Sequence, residues 1–83
     1  MRKDVQVTGG LRALLGKRVT LFCVNYIYTG ELIEVNSDCA LLSQPAIVYE
    51  TGPLRTQKWK DAQNLPGNWY VQLNSIESFG VLK

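Results

Sequence analysis

The chain contains no histidine, so it lacks the side chain that most often serves proteins as a general base or a metal ligand. Its two cysteines, Cys23 and Cys39, therefore have no histidine to activate a thiol as a nucleophile. Glu31 and Glu34 lie on opposite faces of one predicted strand, so they cannot act as a pair, and Asp4, Asp38 and Asp61 are scattered among turns and the terminus. No glycine-rich phosphate-binding loop is present. We expect no enzymatic activity, no catalytic residue, no cofactor, no metal site and no small-molecule substrate.

Long apolar runs are also absent. No segment approaches the about 20 apolar residues that cross a bilayer, and the basic start Met1-Arg2-Lys3 is followed by Asp4 rather than by the apolar stretch of a signal peptide. The two cysteines lack the spacing of a disulfide scaffold or a zinc site, which favours reduced, buried thiols, with a single disulfide as the alternative. These features predict a soluble, cytoplasmic protein with no membrane partner.

A strong excess of one charge sign is also missing, because nine basic and seven acidic residues leave a net charge of only +2. This charge neither announces nor excludes a nucleic-acid partner. A chain of 83 residues forms one small domain, here taken as residues 1–83, and such a domain buries only about 60–65% of its unfolded surface. A hydrophobic content of 46% is generous for so much surface, which favours self-association.

What is abundant is strand-forming sequence. Alternating side chains and short polar turns predict five antiparallel strands, over residues 17–24, 26–36, 39–50, 69–73 and 76–82, the last two joined by a reversal at Asn74-Ser75. Gly30 predicts a bulge, a bend or a close backbone approach, and Pro45 predicts a bulge or an edge position.

A short helix precedes the strands, since Leu11, Leu14 and Leu15 form an apolar stripe between Gly10 and Gly16. Residues 1–9 are polar and predicted to be flexible, and residues 51–68 form a long variable loop. The expected fold class is all-β: a small, strongly bent five-stranded antiparallel barrel with a short N-terminal helix.

This order of elements, together with particular residues, resembles the Sm-like family, which includes the Sm and LSm proteins and bacterial Hfq. The matching positions are Leu15-Gly16-Lys17-Arg18-Val19, then Leu21, Tyr28, Gly30, Leu32 and Leu41-Leu42, with Val71 to Ile76 in place of the second family motif. Asn36 stands where the family has an aspartate. The resemblance implies a divergent Sm-like domain with an SH3-like barrel, a homo-oligomeric ring of about five to seven copies, and binding of single-stranded RNA near the pore.

The departures from the family concern its base-binding pocket. Asp38 stands at the family's stacking position, Ala40 at its asparagine, and Gln72 and Leu73 at its Arg-Gly pair. A carboxylate repels phosphate and alanine offers no hydrogen bond to a base, so the usual uridine pocket is damaged or replaced. The resemblance and the remaining polar groups give these candidate RNA contacts: Asn36, Ser37, Asp38, Gln72, Asn74 and Ser75.

A second candidate RNA site is the loop Lys58-Trp59-Lys60, where basic residues flank an aromatic ring. The alternative for this loop is a solvated segment whose Trp59 tucks against the barrel. Lys17, Arg18 and Arg55 would add phosphate attraction. Tyr26 and Tyr28 share a face of strand two, which favours barrel packing, with base stacking as the alternative.

The subunit interface is predicted at the last two strands, because in the family these pair between neighbouring subunits and so remove open sheet edges. Trp69 and Tyr70 face opposite sides, so that one fills the core while the other meets a neighbour. The interface candidates are Trp69, Tyr70, Val71, Ile76, Phe79 and Val81. Two functional alternatives stay open: a ring that acts as a protein-interaction or structural scaffold, and a monomeric, peptide-binding small barrel.

Overall fold

The structure is a computed structural model that describes residues 10–56 and 58–82. The predicted flexible segment 1–9 lies outside these residues. The elements in chain order are a 3-10 helix (Gly10–Leu14), β1 (Arg18–Cys23), β2 (Ile27–Val35), β3 (Cys39–Glu50), β4 (Asp61–Asn64), β5 (Trp69–Gln72), a second 3-10 helix (Leu73–Ser75) and β6 (Ile76–Gly80). The predicted β-rich, antiparallel class is confirmed, and the five predicted strands correspond to β1, β2, β3, β5 and β6.

The strands form one sheet in the order β4-β3-β2-β1-β6, with β5 paired to the first half of β3. Within the described residues β5 and β6 do not pair with each other, so the predicted closed barrel is wrong and the sheet is open between these two strands. The physical reason lies in their connection. The second 3-10 helix replaces the predicted two-residue reversal, and a tight hairpin turn is what would have placed β5 and β6 side by side.

The prediction that residues 51–68 form only a loop is wrong, because this segment contains strand β4. Its four side chains are all exposed, so it carries no alternation of buried and exposed positions. It forms because β3 has 12 residues and extends past β5: Ala46 faces Asn64, whereas Leu42 faces Trp69. The Leu65 N–H donates to the Pro45 carbonyl at 2.9 Å and bridges the interval between β4 and β5. Unpaired backbone groups along the second half of β3 thus find partners in a polar segment.

The sheet bends at a bulge where β2 meets β3. Thr29 faces Ala46 and Glu31 faces Ser43, so Gln44 and Pro45 together oppose the single residue Gly30. A Cβ atom at Gly30 would lie 3.1 Å from the Leu42 Cβ and 3.2 Å from the Pro45 Cα. The predictions for Gly30 and Pro45 are confirmed, since both residues define the bulge.

The core lies inside this bend. Its buried members are Leu11, Val19, Leu21, Leu32, Ala40, Leu42 and Val71. Leu14 packs against this cluster, but Leu15 is exposed. A 3-10 helix has about three residues per turn, so positions 11 and 14 share a face and position 15 does not. The predicted three-leucine stripe is therefore correct for two of its members.

Candidate nucleic-acid interface

Two segments that are far apart in sequence meet at one end of the sheet. The Leu73 N–H at the start of the second 3-10 helix donates to the Asp38 carbonyl at 2.8 Å. Asn36 fixes the partner turn, because its Oδ1 accepts hydrogen bonds from the backbone N–H groups of Asp38 and Cys39, both at 2.7 Å. The turn over 36–38 and the segment 73–75 are thus held together, and the Asn36 side-chain oxygen is engaged within the turn.

A cavity of about 420 Å³ lies beside these joined segments, and we call it the turn groove. Its lining residues are Leu11, Arg12, Val35, Asn36, Ser37, Leu73, Ile76 and Phe79. The walls are mostly apolar, Arg12 adds an exposed guanidinium, and Phe79 adds an aromatic ring that is 42% exposed. The groove can hold a planar or apolar group with an anion beside it.

The RNA contacts that were predicted in the two turns do not all line one cavity. Asn36 and Ser37 line the turn groove, whereas Gln72 and Ser75 line a second cavity of about 170 Å³. We call this second cavity the tyrosine pocket, because Tyr26, Tyr28 and Tyr70 form much of its wall, with Cys23, Asn25 and Val71 completing the lining. Asp38 and Asn74 are exposed.

The basic loop Lys58-Trp59-Lys60 lines neither cavity and lies away from the turn over 36–38. Lys58, Trp59 and Lys60 lie in the connection between β3 and β4, whereas the turn over 36–38 precedes β3. The 12 residues of β3 separate them, a distance of about 35 Å along the strand at roughly 3.3 Å per residue. The Lys60 Nζ lies 3.1 Å from Glu50 Oε2, which offsets part of the loop's positive charge. Trp59 is half-buried.

The candidate interface residues occupy different environments. Val71 is 4% exposed and Ile76 packs against the core, whereas Tyr70 is 67% exposed and Trp69, Phe79 and Val81 are also exposed. The prediction that Trp69 or Tyr70 fills the core is wrong. Val71 fills it instead: Trp69 lies on the same face of β5, opposite the buried Leu42, but it is at the end of the β3–β5 ladder and stays 36% exposed.

Sequence reasoning did not assign Arg12 to the site and placed Phe79 only at the interface. Both reach the turn groove through the packing of the N-terminal helix and of β6 beside the turn over 36–38. A sequence signal existed for Arg12 alone, since it lies off the face of the short helix that buries Leu11. The position of Phe79 depends on a non-local pairing, in which it faces Leu21.

The cysteines are free and half-buried. Burial, and then the nearby Glu77 carboxylate, raise the pKa of the Cys23 thiol, so it stays protonated and is a weak nucleophile at neutral pH. Within residues 10–56 and 58–82, no group of three or more histidine, cysteine or acidic side chains could hold a metal ion. The same residues contain no helix with the length and apolarity to cross a membrane.

Comparisons with protein-family models, curated proteins and solved structures find no match to this chain. The geometry of the chain defines an antiparallel sheet in which β5 and β6 each have one unpaired edge, and a groove beside the junction of the turn over 36–38 with the segment 73–75.

Proposed function

We propose that this chain is a divergent Sm-like protein that assembles into a homo-oligomeric ring of about five to seven copies and binds single-stranded RNA without catalysis. The observation that carries the proposal is the junction of the turn over 36–38 with the segment 73–75 through the 2.8 Å Leu73–Asp38 hydrogen bond. These are the two segments in which the Sm-like resemblance implies base contacts.

The ring is supported by the sheet edges. Strand β5 pairs with β3 alone and β6 pairs with β1 alone among the described strands, so each has an edge of unpaired backbone groups. Exposed aromatic side chains lie on these strands, Tyr70 on β5 and Phe79 on β6. Antiparallel pairing of β5 in one copy with β6 in the next would satisfy these groups and remove both edges.

RNA binding is supported by the chemistry of the turn groove. The Arg12 guanidinium can neutralise a phosphate, the face of Phe79 can stack on a base, and the Asn36 NH2 group can donate to a base edge. Cations beside stacking aromatic rings are the usual means by which proteins bind single-stranded nucleic acid. The groove thus offers groups that could take over the base contacts of the family residues at whose positions Asp38 and Ala40 stand.

The test is a fluorescence-anisotropy titration of the full chain with U-rich and A-rich oligonucleotides at low and high salt. We expect binding that weakens with salt and that Arg12→Gln reduces several-fold. The matched control is Arg55→Gln, an exposed arginine in the β3–β4 connection, which should have a smaller effect. Absence of binding at low salt, where electrostatic attraction is strongest, would contradict the RNA proposal.

One observation favours a second candidate function. Ala40 is 0% exposed in the core and Asp38 presents a carboxylate to solvent, so neither serves a base in the manner of the family. A ring without the usual pocket could act as a protein-interaction or structural scaffold. A ring-sized mass combined with no RNA binding would support this function and exclude the first.

A further inference from the structure

The tyrosine pocket lies between β5 and the turn that joins β1 to β2, and both contribute lining residues. Two hydrogen bonds fix its walls: the Val24 N–H donates to the Ser75 carbonyl at 2.8 Å, and the Cys23 N–H donates to the Tyr26 carbonyl at 3.0 Å. The pocket is therefore preformed by backbone contacts between the β1–β2 turn and the segment that follows β5.

The aromatic rings are arranged as the walls of a corner. The centroids of Tyr26 and Tyr28 lie 6.4 Å apart and their planes meet at 66°. Tyr28 is half-buried and packs against the core, whereas Tyr26 is 50% exposed and Tyr70 reaches the same cavity from β5. Burial, and then the neighbouring Cys23, Tyr26 and Tyr49, raise the pKa of Tyr28, so its ring stays a neutral phenol at physiological pH.

The charge around the pocket is negative or absent. Its described lining consists of cysteine, asparagine, glutamine, serine, valine and tyrosine, and includes no carboxylate, ammonium or guanidinium group. Glu77 lies close enough to the lining residue Cys23 to raise its pKa, in the bulge where Phe22 faces Ser78 and Cys23 faces Ile76. A phosphate finds no cation among the described lining residues, whereas a positive ligand gains from the ring faces and from the Glu77 carboxylate near Cys23.

We propose that the tyrosine pocket binds an alkylated ammonium cation, of the kind carried by a methylated lysine side chain or a choline headgroup. Ring faces attract cations through their quadrupole, and quaternary ammonium ligands are recognised by several aromatic walls around one site. Methyl groups on the nitrogen can pack against the tyrosine ring faces and need no hydrogen-bond acceptor. A cavity of about 170 Å³ with crossed ring planes suits a compact, rounded cation better than a flat base, which stacks on a parallel face.

The experiment is an NMR titration of the full chain, with tyrosine ring signals as the readout. Tetramethylammonium is the probe, and neopentyl alcohol, which has nearly the same shape and no charge, is the control at matched ionic strength. We expect saturable shifts of Tyr26, Tyr28 and Tyr70 with the cation only. A trimethyl-lysine peptide and phosphocholine then distinguish the two sources of the cation.

The variants separate ring chemistry from structure. Tyr70→Leu should lower the affinity about tenfold and Tyr70→Phe should keep it, because the ring face and not the hydroxyl binds the cation. Tyr49→Leu is the matched control, an exposed tyrosine near Tyr28 that is not part of the lining. If Tyr70→Leu fails to fold by circular dichroism, Tyr26→Leu replaces it, with the same expected loss.

Three results would overturn the proposal. Equal shifts with neopentyl alcohol would leave only an apolar pocket. Saturation by a free nucleoside without any response to the cation would make it a base site. Unchanged cation affinity in Tyr70→Leu and Tyr26→Leu would place the cation elsewhere. None of these measurements depends on RNA binding. Because Tyr70 also lies on the proposed ring edge at β5, light scattering of each variant checks assembly, and Tyr26→Leu tests the pocket without changing that edge.

Discussion

Replacing Gly30 with alanine should destabilise the protein by about 1–2 kcal/mol. The new Cβ would lie 3.1 Å from the Leu42 Cβ, 3.1 Å from the Ser43 carbonyl oxygen and 3.2 Å from the Pro45 Cα. These neighbours are backbone or first side-chain atoms, so none can rotate away, and an overpacked methyl costs about 1–3 kcal/mol. The loss of glycine's freedom in the unfolded chain offsets roughly 0.4–1 kcal/mol.

Thermal and urea unfolding measure this cost. For a domain of this size the melting temperature should fall by about 4–8 °C per kcal/mol. Gly80→Ala is the matched control, because a Cβ there meets nothing within 4 Å and Gly80 has an ordinary backbone conformation. We expect that variant to be as stable as the native chain. Equal stability of the two variants would refute the tight bulge between β2 and β3.

Three further predictions concern single groups. Asn36→Ala should lower stability by about 1–2 kcal/mol, because two 2.7 Å hydrogen bonds to the turn are lost; Asn36→Asp keeps the acceptor and should retain most of it, as urea midpoints will show. Stability should fall as the pH rises above 9.0, the ordinary pKa of the Cys23 thiol, because the folded state raises that pKa and holds the proton that the unfolded state releases. Denaturation over a series of pH values measures the fall. If Cys23→Ala loses stability with pH as steeply as the native chain, Cys23 is not its cause. Lys60→Met should change stability by less than about 0.5 kcal/mol, since its ion pair with Glu50 is largely solvent-exposed; a thermal shift of several degrees would show that the pair matters more than its exposure implies.

The local parts of the fold could be predicted from the sequence. Alternation around Val19 and Leu21 gives β1, and the backbone limits of Gly30 and Pro45 give the bulge, because these properties belong to single residues and their neighbours. Strand β4 could not be predicted this way. Its residues Asp61–Asn64 are polar on both faces, and only the unpaired second half of β3 makes them a strand.

The absence of pairing between β5 and β6 could not be predicted from the sequence for a related reason. The link from β5 to β6 is short enough for a hairpin, but Leu73–Ser75 forms a helical turn that directs the chain to β1 instead. The candidate site shows the same limit. Asn36 and Ser37 were predicted as contacts, whereas the approach of Arg12 and Phe79 to them follows from packing between distant segments.

The most direct test of the proposed ring is the mass of the protein in solution, because the proposed assembly would use the unpaired edges of β5 and β6. Light scattering at micromolar concentration should give a particle of about five to seven times the 9.3 kDa chain mass. Phe79→Lys, which places a charge on β6, should shift that mass toward the single chain. A native protein that scatters as a 9.3 kDa monomer would contradict the ring and favour a monomeric binding module.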